Sequence, residues 1–297
     1  MKKKQKRRSP GALVQRDARG RAHLVIQRDG QGRATGLALT RPLFSEGWQN
    51  DVALAAATTA HSMLAEGHTF AAAAALGQNA MEGTSKLADG ALAQSSDRPP
   101  ACRAGCAHCC HQAVGVTAPE VFAIWNHLRT TRTPAELDAV VARVRAADDR
   151  TRGMTATDRL SPEHPCPFLD DEDARCAIYA ARPLSCRGTN SLDAAACERN
   201  LRDADTRAAF VAGAASVPCY LEPFRAFHAV TAGLQLALDE LHGLEVLPLE
   251  LTAAMRILAD DPDAVPAQWL GGKDPFAAAR GGDNTHDPRH RELTGRV

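Results

Sequence analysis

The nine cysteines of this 297-residue chain are concentrated in one region. Eight of them lie between Cys102 and Cys197, and four fall within the nine residues from Cys102 to Cys110. A single thiol is usually a small apolar core side chain, whereas several thiols grouped beside Gly, Pro, His and Arg are typical ligands of soft metal ions. The clustering therefore predicts a thiolate-rich metal site rather than a set of plain buried thiols.

The first part of this site reads Cys102-Arg-Ala-Gly-Cys106-Ala-His-Cys109-Cys110-His111. Two cysteines separated by two residues, such as Cys106 and Cys109, can turn both sulfurs toward one ion. Gly105 is expected to let the backbone approach the metal closely. Cys109 and Cys110 are adjacent and their side chains diverge, so either they serve two metals or one of them is a buried thiol.

The second part lies more than fifty residues further along the chain. It contains Cys166-Pro-Phe-Leu and then Cys176-Ala-Ile-Tyr-Ala-Ala-Arg182-Pro-Leu-Ser-Cys186-Arg187. Each of these cysteines is beside proline or turn residues, which favours a rigid placement. Arg182 and Arg187 either offset the negative charge of several thiolates or anchor loop carbonyls.

Together these motifs resemble the CxxCxxCC family of zinc- or iron-chelating proteins, also called the YkgJ-type cysteine cluster family. The resemblance covers the chain from about Cys102 to Arg187. One departure is that three residues, rather than two, separate Cys102 from Cys106. The resemblance implies the following ligand candidates: Cys102, Cys106, Cys109, Cys110, Cys166, Cys176 and Cys186.

Other residues near the motifs receive separate predictions. Cys197 lies just past them and is a further candidate metal ligand, whereas Cys219 is expected to be a core or surface thiol. His108 and His111 could complete a zinc site, but histidines among sulfur ligands usually support the ligands or lie at the surface. Tyr179 is expected to be a packing residue.

The motifs leave both the metal and the chemistry open. Thiolates suit zinc and iron–sulfur clusters equally, and seven or eight cysteines could close two zinc sites or hold one cluster with some to spare. The alternative function is an iron–sulfur-dependent modifying enzyme, such as an S-adenosylmethionine-using methylase. Cys102-x-x-x-Cys106-x-x-Cys109 has the spacing of the radical S-adenosylmethionine motif, and the resembled family includes flagellin lysine methylases. That motif should follow a barrel strand, whereas Pro99-Pro100 precedes it here.

The surrounding sequence predicts a mainly α-helical scaffold around a loop-rich cysteine metal site, with a small β or irregular N-terminal arm. Two capping boxes, Thr117-Ala-Pro-Glu120 and Thr133-Pro-Ala-Glu136, each begin an amphipathic helix. A short connection should make these two helices antiparallel, so that the following loop returns Cys166 to the first cluster.

The predicted organisation has five parts. These are a basic tail and small hairpin or irregular arm (1–47), an Ala-rich helical segment (48–98), a cysteine-cluster metal-binding domain (99–221), C-terminal helices (222–270) and a loose tail (271–297).

Composition sets the expected compartment and partners. The chain has 35 basic and 35 acidic residues, so no global field draws it to nucleic acid. Six of its first eight residues are basic, but a polar segment follows instead of the apolar stretch of a secretory signal. No apolar run is long enough to cross a bilayer. We therefore expect a cytoplasmic protein whose reduced thiols bind a metal ion, with any protein partner left open.

Overall fold

The computed structural model describes residues 23–94, 98–170 and 172–280. The predicted basic tail and residues 281–297 of the predicted loose tail lie outside these ranges. Within them the chain is mainly α-helical, as predicted, with few short strands.

The elements follow in chain order. They are β1 (Leu24–Arg28), β2 (Ala34–Leu39), α1 (Gly47–Ala65), α2 (Phe70–Gln94), β3 (Gly115–Val116), α3 (Ala118–Thr131), α4 (Pro134–Thr151), α5 (Ala156–Arg159), α6 (Leu184–Gly188), α7 (Ala194–Arg202), α8 (Ala204–Val211), α9 (Leu221–His242), β4 (Leu249–Glu250), α10 (Leu251–Asp260) and α11 (Ala264–Leu270), with 3₁₀ turns at His108–His111, Tyr179–Ala181 and Ala277–Ala279.

The N-terminal arm is a hairpin, one of the two predicted possibilities. β1 and β2 pair antiparallel, from Leu24 opposite Leu39. The hairpin is fixed to α9 because the Glu240 carboxylate accepts hydrogen bonds from the backbone N–H groups of His23 and Leu24, at 3.1 and 2.8 Å. Leu24 is almost fully buried. The arm is therefore part of the core.

Small residues allow the long helices to pack closely. A Cβ atom placed on Gly77 of α2 would lie 2.0 Å from the carbonyl oxygen of Pro119 in α3. One placed on Gly233 of α9 would lie 2.0 Å from the carbonyl oxygen of Ala53 in α1. The backbones of α2 and α3, and of α1 and α9, are thus in direct contact.

Both predicted capping boxes are present. The Glu120 and Glu136 carboxylates accept hydrogen bonds from the backbone N–H groups of Thr117 and Thr133, each at 2.8 Å. α3 packs mainly on α2, whereas α4 packs mainly on α10. α3, which carries the buried capping box, buries more of its residues than α4 does.

Two features near the C-terminus were not predicted. β3 pairs antiparallel with β4, so strand pairing is not confined to the N-terminal arm. The ring centroid of Phe276 lies 6.0 Å from that of Phe122, and Phe276 is almost fully buried. Phe276 is therefore part of the core, as is the small side chain of Ala279. Among the described helices, none combines the length and apolar character needed to span a bilayer.

Candidate metal centre

The first four cysteines lie on a tight loop that ends in the 3₁₀ turn. The backbone N–H of Cys106 donates to the carbonyl of Arg103 at 3.0 Å, and that of Cys110 donates to the carbonyl of Ala107 at 2.9 Å. Gly105 has a φ of +81°, a conformation that glycine adopts readily. The left-handed conformation of this turn therefore accounts for glycine at position 105, and no contact with a metal is needed to explain it.

Cys166 lies directly beside the first cluster. Its backbone N–H donates to the carbonyl of Cys110 at 2.7 Å, and the N–H of Leu169 closes a turn onto the carbonyl of Cys166 at 3.0 Å. Phe168, within this turn, is almost fully buried and fixes it to the core. The predicted return of the chain to the first cluster is confirmed.

Cys176 is held opposite this turn. It forms an isolated antiparallel bridge with Leu169, and the N–H of Ala177 donates to the carbonyl of Phe168 at 2.8 Å. The guanidinium of Arg132, just past the end of α3, donates to the carbonyl of Ala177 at 2.9 Å. One end of α3 therefore positions the segment that carries Cys176.

Cys186 is positioned by the other end of α3. It lies on α6, whose first residue, Leu184, donates its backbone N–H to the Glu120 carboxylate at 2.8 Å. The same carboxylate accepts from the hydroxyl of Thr117 at 2.9 Å. Glu120 is 1% exposed, so this buried carboxylate joins the start of α3 to the start of α6.

We call Cys110, Cys166, Cys176 and Cys186 the inner thiol group. Burial raises the pKa of Cys166 to about 12, and the charge of Cys176 adds to this. Burial also raises the pKa of Cys186, with further contributions from the thiols of Cys109, Cys166 and Cys176. The Cys166 sulfur is thus close enough to each of the other three for their charges to interact.

We call Cys102, Cys106, Cys197 and Cys219 the outer thiol group. Burial raises the pKa of Cys197, and the thiols of Cys102, Cys106 and Cys109 raise it further. Burial raises the pKa of Cys219 to about 11, with Cys197, Cys102 and Cys109 contributing. Cys219, predicted from the sequence to be a core or surface thiol, is therefore a half-buried neighbour of the cluster.

Cys109 lies between the two groups and is exposed. A hydrogen bond with the Cys110 thiol lowers the pKa of Cys109 to about 7, and Arg182 lowers it further. The same hydrogen bond raises the pKa of Cys110, as does its burial. Of this adjacent pair, Cys109 is therefore the thiol that loses its proton more readily.

The two arginines of the second motif have different roles. The Arg187 guanidinium donates to the carbonyls of Arg182 and Ala180, at 2.6 and 2.8 Å, and to the hydroxyl of Ser85. It is therefore a loop anchor. Arg182 opposes the rise that burial causes in the pKa of Cys102, Cys176 and Cys186 and helps to lower that of Cys109, and within the described chain its Nε has no hydrogen-bond partner. Arg182 is the charge that faces the thiols.

Two other predictions near the cluster have different outcomes. Tyr179 is 66% exposed, with the Arg182 guanidinium 5.0 Å from its ring centroid, so the prediction of a packing residue was wrong. His111 packs beside the backbone of Ser161 and Pro162, and burial lowers its pKa. His108 belongs to the same 3₁₀ turn.

The chemistry of this donor set fits a thiophilic metal. All nine cysteines are free thiols, and they come from four separate stretches of chain. Sulfur donors with a neighbouring arginine suit zinc or an iron–sulfur cluster. Within the described ranges, no three His, Cys, Asp or Glu side chains yet converge as the ligands of one ion.

Comparison with known proteins locates this cluster within a recognised domain. Searches of curated proteins and of solved structures gave no significant match. The CxxCxxCC family model, described as a putative zinc- or iron-chelating domain, matches residues 101–207. This span contains all eight predicted ligands and excludes Cys219. Residues 101–207, about a third of the chain, therefore match the CxxCxxCC domain model.

Proposed function

We propose that this protein binds zinc or iron through its clustered thiols. The proposed ligands are those of the sequence motifs, namely Cys102, Cys106, Cys109, Cys110, Cys166, Cys176, Cys186 and Cys197. The observation that carries the proposal is the 2.7 Å hydrogen bond between the backbones of Cys166 and Cys110, which brings the two halves of the motif together. The family model that matches the same residues supports it.

Charge supports the same conclusion. Several thiolates in one place repel one another, and a divalent ion relieves that repulsion while Arg182 offsets part of the remaining charge. The guanidinium of Arg159 is also buried near Cys166, and its Nε has no hydrogen-bond partner within the described ranges. Such a site needs reduced thiols, which agrees with the proposed cytoplasmic location.

The modifying enzyme remains the weaker proposal. The radical S-adenosylmethionine motif requires a β/α barrel, whereas the described residues form only two two-stranded sheets. Cys102 and Cys106 lie on the loop between α2 and the 3₁₀ turn, not after a barrel strand. The matched family description concerns metal chelation alone.

The experiment is a metal analysis of protein purified without oxygen. Zinc, iron and acid-labile sulfide per chain are measured together with the visible spectrum. One or two zinc ions in a colourless protein, or equal iron and sulfide in a brown one, would support chelation and identify the metal. A chain that remains metal-free after incubation with zinc or with iron and sulfide would refute the proposal.

Variants then test the ligands. Cys109→Ser and Cys176→Ser should each lower the metal content, because each removes a sulfur donor. Both should also lower the melting temperature, since binding of the metal is coupled to folding of the site. Full metal content together with wild-type melting in both variants would show that these thiols are not shared ligands.

A further inference from the structure

Ser191 connects three of the four outer thiols. Its backbone N–H donates to the Cys102 sulfur at 3.2 Å. Its side chain also forms a hydrogen bond with the Cys197 thiol. Its backbone forms an isolated antiparallel bridge with Cys219. One residue therefore fixes the relative positions of three cysteines from distant parts of the sequence.

The backbone around Ser191 makes this arrangement specific. On one side, the N–H of Ala101 donates to the carbonyl of Ser191 at 2.8 Å. On the other, the N–H of Leu192 donates to the carbonyl of Pro218 at 2.9 Å, and the N–H of Tyr220 donates to that of Asn190 at 2.9 Å. Residues 101–102, 190–192 and 218–220 thus lie side by side.

Cys197 reaches the same place from a helix. The Asp193 carboxylate caps α7 by accepting from the N–H of Ala196 at 2.9 Å, so α7 begins three residues after Ser191. Cys197 is in the first turns of this helix, and α7 packs on the 3₁₀ turn that follows Cys106. The loop, the helix and the segment at 218–220 each supply thiols to one locality.

We propose that Cys102, Cys106, Cys197 and Cys219 are the ligands of a second metal site for a thiophilic divalent ion such as zinc. This inference rests on the proposed function and divides it between two sites. The inner thiol group, Cys110, Cys166, Cys176 and Cys186, would form the first. Each group contains four sulfurs, the number that a closed tetrahedral zinc site uses.

Two further residues lie between the two groups, and one of them, Cys109, remains a proposed ligand. Cys109 lies in the same 3₁₀ turn as Cys110 and three residues after Cys106, so its sulfur would bridge the two sites. Arg182 interacts with Cys102 of the outer group and with Cys176 and Cys186 of the inner group. It is therefore placed to offset the excess negative charge of two four-thiolate sites at once.

Cys219 distinguishes the proposed second metal site from a purely structural role for this thiol. It lies outside the matched residues 101–207, and its spacing belongs to no motif. If it were only a structural thiol, replacing it would leave the metal content unchanged. If Cys219 is the fourth ligand, replacing it leaves the outer site with three sulfurs, while the inner site keeps all four.

The test uses the full-length chain, stripped of metal under reducing conditions and reloaded with zinc alone. We expect two zinc ions per chain in the wild type and one in each of Cys219→Ser and Cys186→Ser. The double variant should bind none tightly. Loading with cobalt(II) adds a second readout, since each single variant should lose about half of the sulfur-to-cobalt absorption while its far-ultraviolet circular dichroism stays helical.

Thiol mapping in the wild type avoids dependence on a folded variant. Cys219 should resist alkylation in zinc-loaded protein and react after a chelator is added, as read by mass spectrometry for each cysteine. Equal alkylation with and without zinc, or two zinc ions retained by Cys219→Ser, would overturn the second site and leave the proposed function standing. A wild-type chain that binds no zinc and no iron would instead refute the proposed function itself.

Discussion

Replacement of Glu120 by Gln should destabilise the protein more than its position in a capping box suggests. The carboxylate accepts from the Thr117 N–H and hydroxyl and also from the Leu184 N–H, at 2.8, 2.9 and 2.8 Å. A hydrogen bond to a charged group contributes roughly 1.5–3 kcal/mol, and a neutral one roughly 1 kcal/mol. The amide of Gln also turns one N–H₂ toward a backbone N–H, which leaves a buried donor unsatisfied.

These losses are partly offset because a buried negative charge is removed, and burial raises the pKa of Glu120. We therefore expect a net loss of about 2–3 kcal/mol in the free energy of unfolding. The matched control is Glu136→Gln, which changes the same capping box on the neighbouring helix. Glu136 is exposed and bonds only within its own box, to Thr133, so about 0.5 kcal/mol is expected there.

The assay is urea unfolding of both variants and the wild type, followed by zinc retention against a chelator. Leu184 lies two residues before Cys186, so Glu120→Gln should also speed the loss of zinc from the inner thiol group. Glu136→Gln should retain zinc like the wild type. If the two variants differed by less than about 0.5 kcal/mol in stability, the bond from Leu184 to Glu120 would not stabilise the fold as argued.

Three further predictions follow from the helical frame. Gly77→Ala should destabilise the fold by about 3 kcal/mol in urea unfolding because its Cβ would meet the Pro119 carbonyl, whereas Gly83→Ala on the same helix meets nothing within 4 Å and should stabilise by up to about 1 kcal/mol. Burial and two neighbouring histidines lower the pKa of His242 to about 4. The unfolded chain therefore binds the extra proton between about pH 6.5 and 4, so stability should fall by an amount on the order of 1 kcal/mol as the pH falls through that range, and His242→Leu should flatten the profile. Removal of metal by a chelator should lower the melting temperature yet leave the helical circular dichroism nearly unchanged, because the buried core lies between helices and the cysteines are only partly buried beside it.

The local parts of the fold were predictable because their signals are local. Thr, Pro and Glu at fixed offsets mark the starts of α3 and α4, and both capping boxes are present. The motif spacing correctly grouped Cys166 with the first cluster. Each of these features depends on residues within a few positions, or on a motif that is itself written in the sequence.

The parts that were missed depend on contacts between distant segments. Cys219 joins the cluster through a backbone bridge to Ser191. Such a bridge can form between residues of almost any type, so no sequence pattern predicts it. Phe276 occurs in a polar, Gly-rich stretch, yet its ring packs against that of Phe122. Composition describes the average character of such a stretch and not the one side chain that is buried.

The thiol groups differ in how the fold supports them, and this difference bears on how metal and fold are coupled. The inner group is positioned by both ends of α3, through Glu120 and Arg132, and α3 packs in the core. The outer group depends on the hydrogen bonds around Ser191, between segments outside the regular helices. A metal ion there would tie residues 102 and 219 together, which closes a loop of more than a hundred residues and restricts the unfolded chain most. We therefore expect the inner group to be the more preorganised of the two, and the order of the outer group to depend more on a bound metal.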